Sequence, residues 1–462
     1  MPRMLLILIA SLSLLALEGC SSDRRLSRGD GGGADGGIAE GGTGDGGPVI
    51  PFASIAGTVW APGNAPGMVP ANEEIPVFGA AIRLMVGRPA AIPQGVYCEE
   101  CVDIGGFGTT SAHDGTFSLS GVTPGDYWLV IEKGQFRLER QLHLDSGEDA
   151  ALDATMTTLP SVHNPSIGDW VPRIAVAAGS YDHIEDVVGK MGIGGVDAAG
   201  EFASGVGADA VHFYANGGRS YPGMMGSLGD LVHDLGRMRQ YHIIFVPCGS
   251  DSNTAVLNEP AVLQNIREYV SLGGKLYVTD WSGEWHDNVF PAQVELEPGA
   301  DTPASAYDAA TGTWNTALFG NADGSLYNSD NAEAADPDLF TWLDGQYGPL
   351  PDSASTGTFN AAAFSVVDNW NTVMSLNSVV VGYDDEGLAL YDVPRAFVIG
   401  GEGTSLPKRP LTVTYEPAGC GRVLYSTYHT TPNSHVGLVP QERILLFLIM
   451  EIGTCTSGPI LI

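Results

Sequence analysis

The sequence is poor in basic residues, and charged residues of either sign are few. Only 21 residues are Lys or Arg, against 54 Asp or Glu, which leaves a formal net charge of −33. A chain this acidic repels phosphate backbones and anionic headgroups, so its composition excludes nucleic acid as a partner and electrostatic adhesion to lipid. Because 44% of the 462 residues are hydrophobic and 16% are charged, the chain can bury sizeable cores, and its length predicts two or three domains.

Long hydrophobic runs are also missing, since crossing a bilayer takes about 20 apolar residues. Residues 4–17 and 444–450 are both too short, and the second fits the buried face of a final helix. The first follows Arg3 and ends near Cys20, which predicts an export signal over residues 1–20. The run Leu17, Glu18, Gly19, Cys20 resembles the bacterial lipobox, which implies that Cys20 is the lipidated first mature residue. An ordinary signal peptide with an incidental cysteine is the alternative.

Residues 21–50 are rich in Gly and Asp and have almost no apolar side chains. Such a segment cannot bury enough surface to offset its ordering, so it predicts a flexible tether. Three acyl chains, at about 0.8 kcal/mol per buried CH₂, would anchor the chain permanently. The sequence therefore predicts an exported protein, bound to the cell envelope through lipid at Cys20, with the outer membrane as the favoured location.

Cysteines are few. Because an exported protein reaches an oxidising compartment, we expect most of them to form disulfide bonds. Apart from Cys20 they give two disulfides and one free thiol: Cys98 with Cys101, Cys420 with Cys455, and Cys248 alone. Zinc at Cys98 and Cys101 would need two further ligands, and none lies nearby in the sequence. The Asp-rich segments lack the alternating spacing of a calcium loop. No metal and no cofactor is predicted.

Residues 51–159 read as an all-β domain. Period-2 alternation and the turn signals Asp114-Gly115 and Pro124-Gly125 predict short antiparallel strands. The pattern resembles the carboxypeptidase regulatory-like domain, and the residues that carry this resemblance are Gly57, Val59, Gly79, Ala80, Asp114, Gly115, Phe117, Leu119, Val122, Pro124, Gly125, Tyr127 and Leu129. The resemblance implies a transthyretin-like (prealbumin-like) β-sandwich of about seven strands that serves as a spacer or binding module and not as a catalyst.

Residues 242–282 predict a strand, a helix and a second strand in succession. Two β-branched runs flank an amphipathic segment that Pro260 opens and Gly273-Gly274 closes. Such a crossover makes the two strands parallel, so residues 171–462 predict an α/β domain with an open, flavodoxin-like parallel sheet. Residues 283–374, rich in Asp, Asn, Ala and Gly, read as an insertion that caps the sheet and carries short helices near residues 337–343 and 360–367.

The runs IIFVPCGS, GGKLYVTDW and GRVLYSTYH resemble the class I glutamine amidotransferase-like fold, and the last is similar to its trehalose-utilisation branch. In the amidotransferase families a catalytic cysteine stands on an elbow after a strand. Here Asp280 or Trp281 occupies that position, and Cys248 lies in an earlier turn. His429 matches the family histidine. Without the cysteine the resemblance implies no glutaminase activity, and the trehalose-utilisation branch also lacks it.

Ligands of open α/β sheets bind beyond the carboxyl ends of the strands. The candidates there are Ser180, Tyr181, Asp182, His183, Cys248, Ser250, Asp251, Asp280, Trp281, Glu284, Trp285, His286 and His429. Indole faces with carboxylates and imidazoles suit a carbohydrate, because the rings cover C–H patches while the polar groups bond hydroxyls.

Each candidate has a structural alternative. Trp281 and Trp285 can pack the cap, His429 can be a structural strand-end residue, and Cys248 can be an inert buried thiol. Asp280 and Glu284 can form an acid/base pair, half of a metal site, or solvated surface carboxylates. No complete nucleophile–base motif is present, so the sequence favours a non-catalytic envelope protein that binds a carbohydrate or another envelope component. A hydrolase of glycans or peptides and a structural or protein-interaction module are the alternatives.

Overall fold

The computed structural model describes most of the chain after residue 50. The described residues are 51–98, 104, 106–203, 208–249, 253–321, 326–351, 355–383, 386–403, 407–430, 434–451 and 460–461. The predicted signal segment, tether and lipidated Cys20 lie outside them, as do Cys101, Ser250, Asp251 and Cys455. Residues 50–462 form one compact unit.

Two sheets are formed by the residues nearest the amino terminus of this unit. Together they contain strands β1 (Ala53–Thr58), β2 (Ala81–Met85), β3 (Gly108–Thr110), β4 (Thr116–Val122), β5 (Gly125–Lys133), β6 (Phe136–Leu144), β7 (Asp149–Ala151) and β8 (Asp169–Trp170). One sheet has the order β4-β1-β7 and the other β3-β2-β5-β6-β8. Their alternate residues, such as Ile55, Phe117, Ile82 and Leu129, are buried in one shared core, as the alternation in the sequence predicts.

A nine-stranded sheet dominates the rest of the unit. The strands that follow are β9 (Ile174–Ala178), β10 (Gly195–Val196), β11 (Phe202–Ala203), β12 (Val211–Ala215), β13 (Ile243–Val246), β14 (Lys275–Thr279), β15 (Val294–Leu296), β16 (Tyr307–Asp308), β17 (Thr313–Trp314), β18 (Tyr327–Ala334), β19 (Tyr347–Pro349), β20 (Thr356–Thr358), β21 (Phe364–Asn369), β22 (Val373–Leu376), β23 (Val379–Tyr383), β24 (Ala389–Asp392), β25 (Arg395–Gly400), β26 (Arg409–Tyr415), β27 (Arg422–Ser426) and β28 (Ile460–Leu461). The sheet runs β12-β9-β13-β14-β27-β26-β25-β18-β21.

The first five strands of this order are mutually parallel, and the last four are joined through antiparallel pairs. Every residue of β9, β13, β14 and β27 is buried, which is typical of parallel strands covered on both faces. The remaining strands make small sheets, β10-β11, β15-β22, β16-β17, β19-β20 and β23-β24-β28. The protein is thus strand-rich, with several sheets.

Nine α-helices connect or flank the strands: α1 (Ala154–Thr157), α2 (Ile184–Lys190), α3 (Leu228–Val232), α4 (Leu235–Met238), α5 (Thr254–Leu257), α6 (Pro260–Ser271), α7 (Glu284–Asp287), α8 (Pro337–Leu343) and α9 (Pro440–Glu451) in the described residues. Short 3-10 helices cover Ala208–Ala210, Asp280–Gly283, Ala304–Ala306 and Thr316–Leu318. Across the part of the chain that the structure describes, no helix is both long and apolar enough to span a bilayer.

Residues 283–374, predicted to be an insertion that caps the sheet, contribute strands to the sheet itself. They supply β18 and β21, which extend the main sheet at its antiparallel edge. The helix predicted near residues 360–367 is wrong, because Phe364–Asn369 is strand β21, whereas the helix at Pro337–Leu343 is confirmed. Strand β21 pairs with β18, which is distant in the sequence. A local sequence pattern does not predict a long-range contact of this kind.

The disulfide also differs from both predicted pairings. Cys98 bonds to Cys420, 322 residues away, with the two Cα atoms 5.5 Å apart. Cys98 is therefore not paired with Cys101, nor Cys420 with Cys455. The bond ties the loop before β3 to the turn between β26 and β27, and thus links the N-terminal sheets to the main sheet.

Candidate functional site

Cys248, Asp280 and His429 come together at the carboxyl ends of three adjacent strands, β13, β14 and β27. One ligand atom from each of the three side chains lies within 4.8 Å of those of the other two. The register of the parallel strands brings about this meeting, because residues that follow neighbouring strands share one edge of the sheet. All three are buried, with exposed fractions of 1%, 0% and 6% respectively.

Asp280 stands on a tight elbow between β14 and the helical turns that follow. Its φ of +50° is left-handed, a conformation that costs a non-glycine residue on the order of 1–3 kcal/mol. The elbow is held in place because the Asp280 carbonyl accepts hydrogen bonds from Asn371 Nδ2 at 2.9 Å and from Tyr425 Oη at 3.2 Å. Ser282 Oγ donates to the Pro247 carbonyl at 3.0 Å and so ties the elbow to the end of β13.

His429 and Asp280 are in direct polar contact. His429 Nε2 lies 2.8 Å from Asp280 Oδ2. Burial raises the pKa of Asp280 to about 7, although His429 acts in the opposite direction. Burial lowers the pKa of His429, but the contact with the Asp280 carboxylate outweighs burial and leaves the pKa raised. A carboxyl group in contact with an imidazole is an arrangement that general acid–base chemistry uses.

The surroundings of Cys248 favour the protonated thiol. Burial first, and then the neighbouring Asp280 carboxylate, raise the pKa of Cys248 far above its ordinary value. Since the thiolate is the reactive form, a nucleophilic Cys248–His429 pair has no support from the electrostatics of the site. The backbone N–H of Cys248 donates to Thr279 Oγ1 at 3.0 Å, which fixes the turn that carries the thiol.

Asp182 holds the backbone around Asp280 and His429 in place through hydrogen bonds. Its Oδ1 accepts from the backbone N–H and the hydroxyl of Thr430, at 3.0 and 2.6 Å, and its Oδ2 accepts from Thr279 Oγ1 at 2.7 Å. Thr279 precedes Asp280 and Thr430 follows His429, so one carboxylate holds the neighbours of both. Asp182 is fully buried, and these contacts position the residues beside Asp280 and His429.

Aromatic rings lie beside the buried pair. Tyr181 is 49% exposed, and Trp281 and Trp370 are half-buried. The Trp281 ring centroid is 6.4 Å from that of Tyr181 and 5.0 Å from that of Trp370. Trp281 directly follows Asp280, and the Trp370 backbone N–H lies next to the Asp280 carboxylate. We call Tyr181, Trp281 and Trp370 the aromatic rim.

The other predicted site residues divide into three groups. Ser180 and His183 are half-buried near the end of β9, with His183 Nδ1 3.4 Å from Glu185 Oε1. Glu284 is buried close to the elbow. Trp285 and His286 belong to the core: Trp285 is 1% exposed, and fully buried His286 bonds through Nδ1 to Tyr415 Oη at 2.9 Å. Their predicted ligand role stays a prediction.

Sequence reasoning missed Thr279, Thr430, Trp370 and Asn371. The two threonines adjoin predicted residues, so position after a strand could have found them. Trp370 and Asn371 follow β21, which the sequence pattern presents as a helix, so no signal marked them. A surface cavity of about 400 Å³ lies elsewhere, on the five-stranded sheet near Trp128, Gln141 and His143.

No family model matches this chain, and no curated protein matches it. Among solved structures the chain is similar to one described as "Cytoplasmic Protein STM3548 from Salmonella typhimurium", with 11% sequence identity. The similarity covers 50% of this chain and 80% of that chain, with a TM-score of 0.27. At that TM-score the likeness carries no argument about fold or function.

Proposed function

We propose that this chain is an exported envelope protein, lipid-anchored at Cys20, that binds a carbohydrate at the aromatic rim without converting it. The observation that carries the proposal is the placement of three partly exposed rings beside a buried Asp280–His429 pair. Sugar rings present C–H faces that stack on indoles, and the three partly exposed rings supply such a surface. Another envelope component with the same mixed surface is the wider form of the proposal.

The architecture proposed with this function has two parts. Residues 51–159 would be the carboxypeptidase regulatory-like sandwich, acting as a spacer, and residues 171–462 a degenerate amidotransferase-like domain of flavodoxin-like type. Two sheets around one core support the first assignment, and five parallel strands with an elbow after β14 support the second. The absence of a cysteine at Asp280 in the sequence removes the glutaminase reaction from the proposal.

Calorimetric titration of the full-length protein against a panel of envelope oligosaccharides tests the binding. We expect at least one ligand to bind, and Trp281→Ala to raise its Kd about tenfold or more, because a stacked ring contributes on the order of 1 kcal/mol beyond area burial. Trp314→Ala is the matched control: Trp314 is also half-buried and packs against the Tyr307 ring, but it belongs to the small sheet β16-β17. Equal affinities for wild type and Trp281→Ala would refute the rim as the binding surface.

A hydrolase is the second candidate, and the strained elbow favours it. Asp280 holds a left-handed φ at the end of a parallel strand, as nucleophiles do on strand–turn–helix elbows, and it has His429 beside it. Turnover of bound glycans or peptides, abolished in Asp280→Asn, would replace the binding protein by this enzyme. Binding without any product after prolonged incubation would exclude it.

The lipid anchor is tested separately. Growth with labelled fatty acid should label the wild type and leave Cys20→Ala unlabelled and released from the membrane fraction. Cys248→Ala serves as the control, since it removes a cysteine that is buried in the fold. A wild type that stays unlabelled would show that the segment is an ordinary export signal, and labelling that survives in Cys20→Ala would place the lipid on another residue.

A further inference from the structure

The three buried side chains at the strand ends offer three different kinds of metal ligand. Cys248 provides sulfur, Asp280 oxygen and His429 nitrogen, with ligand atoms mutually within 4.8 Å. They follow the ends of three adjacent parallel strands, β13, β14 and β27, and do not come from one acidic loop. Soft thiolate with imidazole and a carboxylate suits zinc and neighbouring transition metals, whereas calcium and magnesium prefer all-oxygen sites.

The polar atoms of this cluster also lack aligned partners. Among the described residues, the Asp280 carboxylate oxygens and His429 Nε2 have no hydrogen bond of good geometry, although the two groups touch at 2.8 Å and the Trp370 backbone N–H lies next to the carboxylate. Leaving buried polar atoms in that condition is costly, and native proteins rarely do so without a reason. A cation placed between the three side chains would satisfy all of these atoms together.

We propose that Cys248 Sγ, the Asp280 carboxylate and His429 Nε2 bind a divalent transition metal ion of the zinc type. Metal–ligand bonds of about 2.0–2.3 Å in a tetrahedral site place the ligand atoms about 3.3–3.7 Å apart. The 2.8 Å contact between Asp280 and His429 would therefore open by roughly half an ångström. Binding releases the thiol proton to solvent and forms a thiolate–metal bond.

The surroundings hold the three ligands in place before the ion arrives. Asp182 fixes Thr279 and Thr430, which adjoin Asp280 and His429, and Thr279 in turn fixes the backbone N–H of Cys248. Gln441 Nε2 donates to the His429 carbonyl at 2.6 Å. Such supporting hydrogen bonds are what metal sites use to orient their ligands. Three protein ligands leave a fourth coordination position for water or a ligand hydroxyl.

Spectroscopy of the full-length protein loaded with Co²⁺ is the direct test. We expect tetrahedral d–d absorption and a thiolate-to-cobalt charge-transfer band, one bound ion per chain, and displacement by Zn²⁺. Cys248→Ser should lose the charge-transfer band, and His429→Gln should weaken Zn²⁺ binding by more than about 100-fold, beyond what loss of a supporting residue causes. Asp392→Asn is the matched control, because Asp392 is a buried aspartate outside the cluster and should leave both readouts unchanged.

The spectrum of the Co²⁺-treated wild type tests the metal site even if a variant fails to fold. Absence of a thiolate charge-transfer band in well-folded, Co²⁺-treated wild type would overturn the proposal, as would a band that persists in Cys248→Ser. Neither readout involves a carbohydrate. The metal site and the proposed carbohydrate binding can therefore fail independently of each other.

Discussion

Asp182 shows how one buried residue can define a site it does not line. Its two oxygens engage Thr279 and Thr430, which lie 97 and 248 residues away along the chain. Those two residues flank Asp280 and His429, so the geometry of the acid–imidazole pair depends on a fully buried carboxylate. A buried carboxylate is stable in this setting because three donors replace its water.

Asp182→Asn should destabilise the protein. An amide at this position presents N–H groups to donors that need an acceptor, and leaving a buried donor unpaired costs about 1–3 kcal/mol. We expect the free energy of unfolding, measured by urea denaturation, to fall by that amount. The contact between His429 and Asp280 should loosen as well.

Asp114→Asn is the control for this substitution. Asp114 Oδ1 also accepts from the backbone N–H and hydroxyl of a threonine, Thr116, but it is exposed to water. Its loss should cost less than about 1 kcal/mol, since water replaces the missing partner. Equal costs for the two variants would mean that Asp182 has no special role in the site.

The elements of the chain differ in how far sequence alone could predict them. The strand–helix–strand unit over residues 242–282 is confirmed, because its β-branched runs and its Pro260 opening are local signals. Asn258 and Glu259 divide the connection into α5 and α6. The hairpin of β26 and β27 is likewise confirmed. Strand β21 could not be predicted from local sequence, because it forms by pairing with β18, some 30 residues away in the sequence.

The same division holds for the candidate site. The rule that ligands meet strand ends correctly placed Cys248, Asp280 and His429 together. It could not distinguish Trp281, which stays half-exposed, from Trp285, which fills the core, because one residue of turn geometry decides which way an indole points. The Cys98–Cys420 pairing was equally hidden, since proximity across 322 residues belongs to the folded chain and not to cysteine spacing.

The junction between β9 and an N-terminal loop contains an acid-sensitive histidine. His242 accepts from the Arg173 backbone N–H at Nδ1 and contacts the Pro93 carbonyl through Nε2, at 2.9 and 3.1 Å. Burial lowers the pKa of His242 from 6.5 to about 4. The neutral form is thus favoured on folding, so its contribution to stability is complete above pH 6.5 and is lost as the pH falls toward 4.

His242→Gln should remove this acid sensitivity. Glutamine retains a donor for Pro93 but does not titrate, so the difference in unfolding free energy between wild type and variant should change by about 3 kcal/mol from pH 7 to pH 4. Urea denaturation across that range measures it. His143→Gln is the control, because His143 is exposed and its pKa is raised by Asp126, giving a small effect of opposite sign. A pH-independent difference for His242→Gln would contradict the assignment.

The disulfide between Cys98 and Cys420 should also stabilise the link between the N-terminal sheets and the main sheet. Cys98 and Cys420 close a very long loop, and cross-links of this kind typically contribute about 2–4 kcal/mol by restricting the unfolded chain. Cys420→Ser should lower the unfolding free energy by that amount, and added reductant should affect the wild type but not the variant. A variant as stable as oxidised wild type would show that the bond is not formed in solution.

At the scale of the whole molecule, one hydrophobic core joins the N-terminal sheets to the main sheet. Buried residues of β1 and β2, such as Ile55 and Ile82, belong to the same cluster as Val176 of β9 and Ile444 of α9. Trp342 Nε1 donates to the Pro76 carbonyl at 2.8 Å across this boundary. A shared core means that neither part can unfold without exposing apolar surface of the other, so we expect a single cooperative transition.

Gly63→Ala tests that cooperativity where the two parts touch. Gly63 has a φ of +67°, and a Cβ there would lie 2.8 Å from the Cα of Gly192, so alanine forces the backbones apart. Hydrogen exchange followed by mass spectrometry should then show β5 and β14, one on each side, losing protection by the same free energy. Gly67→Ala is the control: its φ of +83° is equally unfavourable, but no atom lies within 4 Å of the added carbon. It should cost only about 1 kcal/mol. Loss of protection in β5 alone would mean that the two parts unfold separately and that the shared core does not couple them.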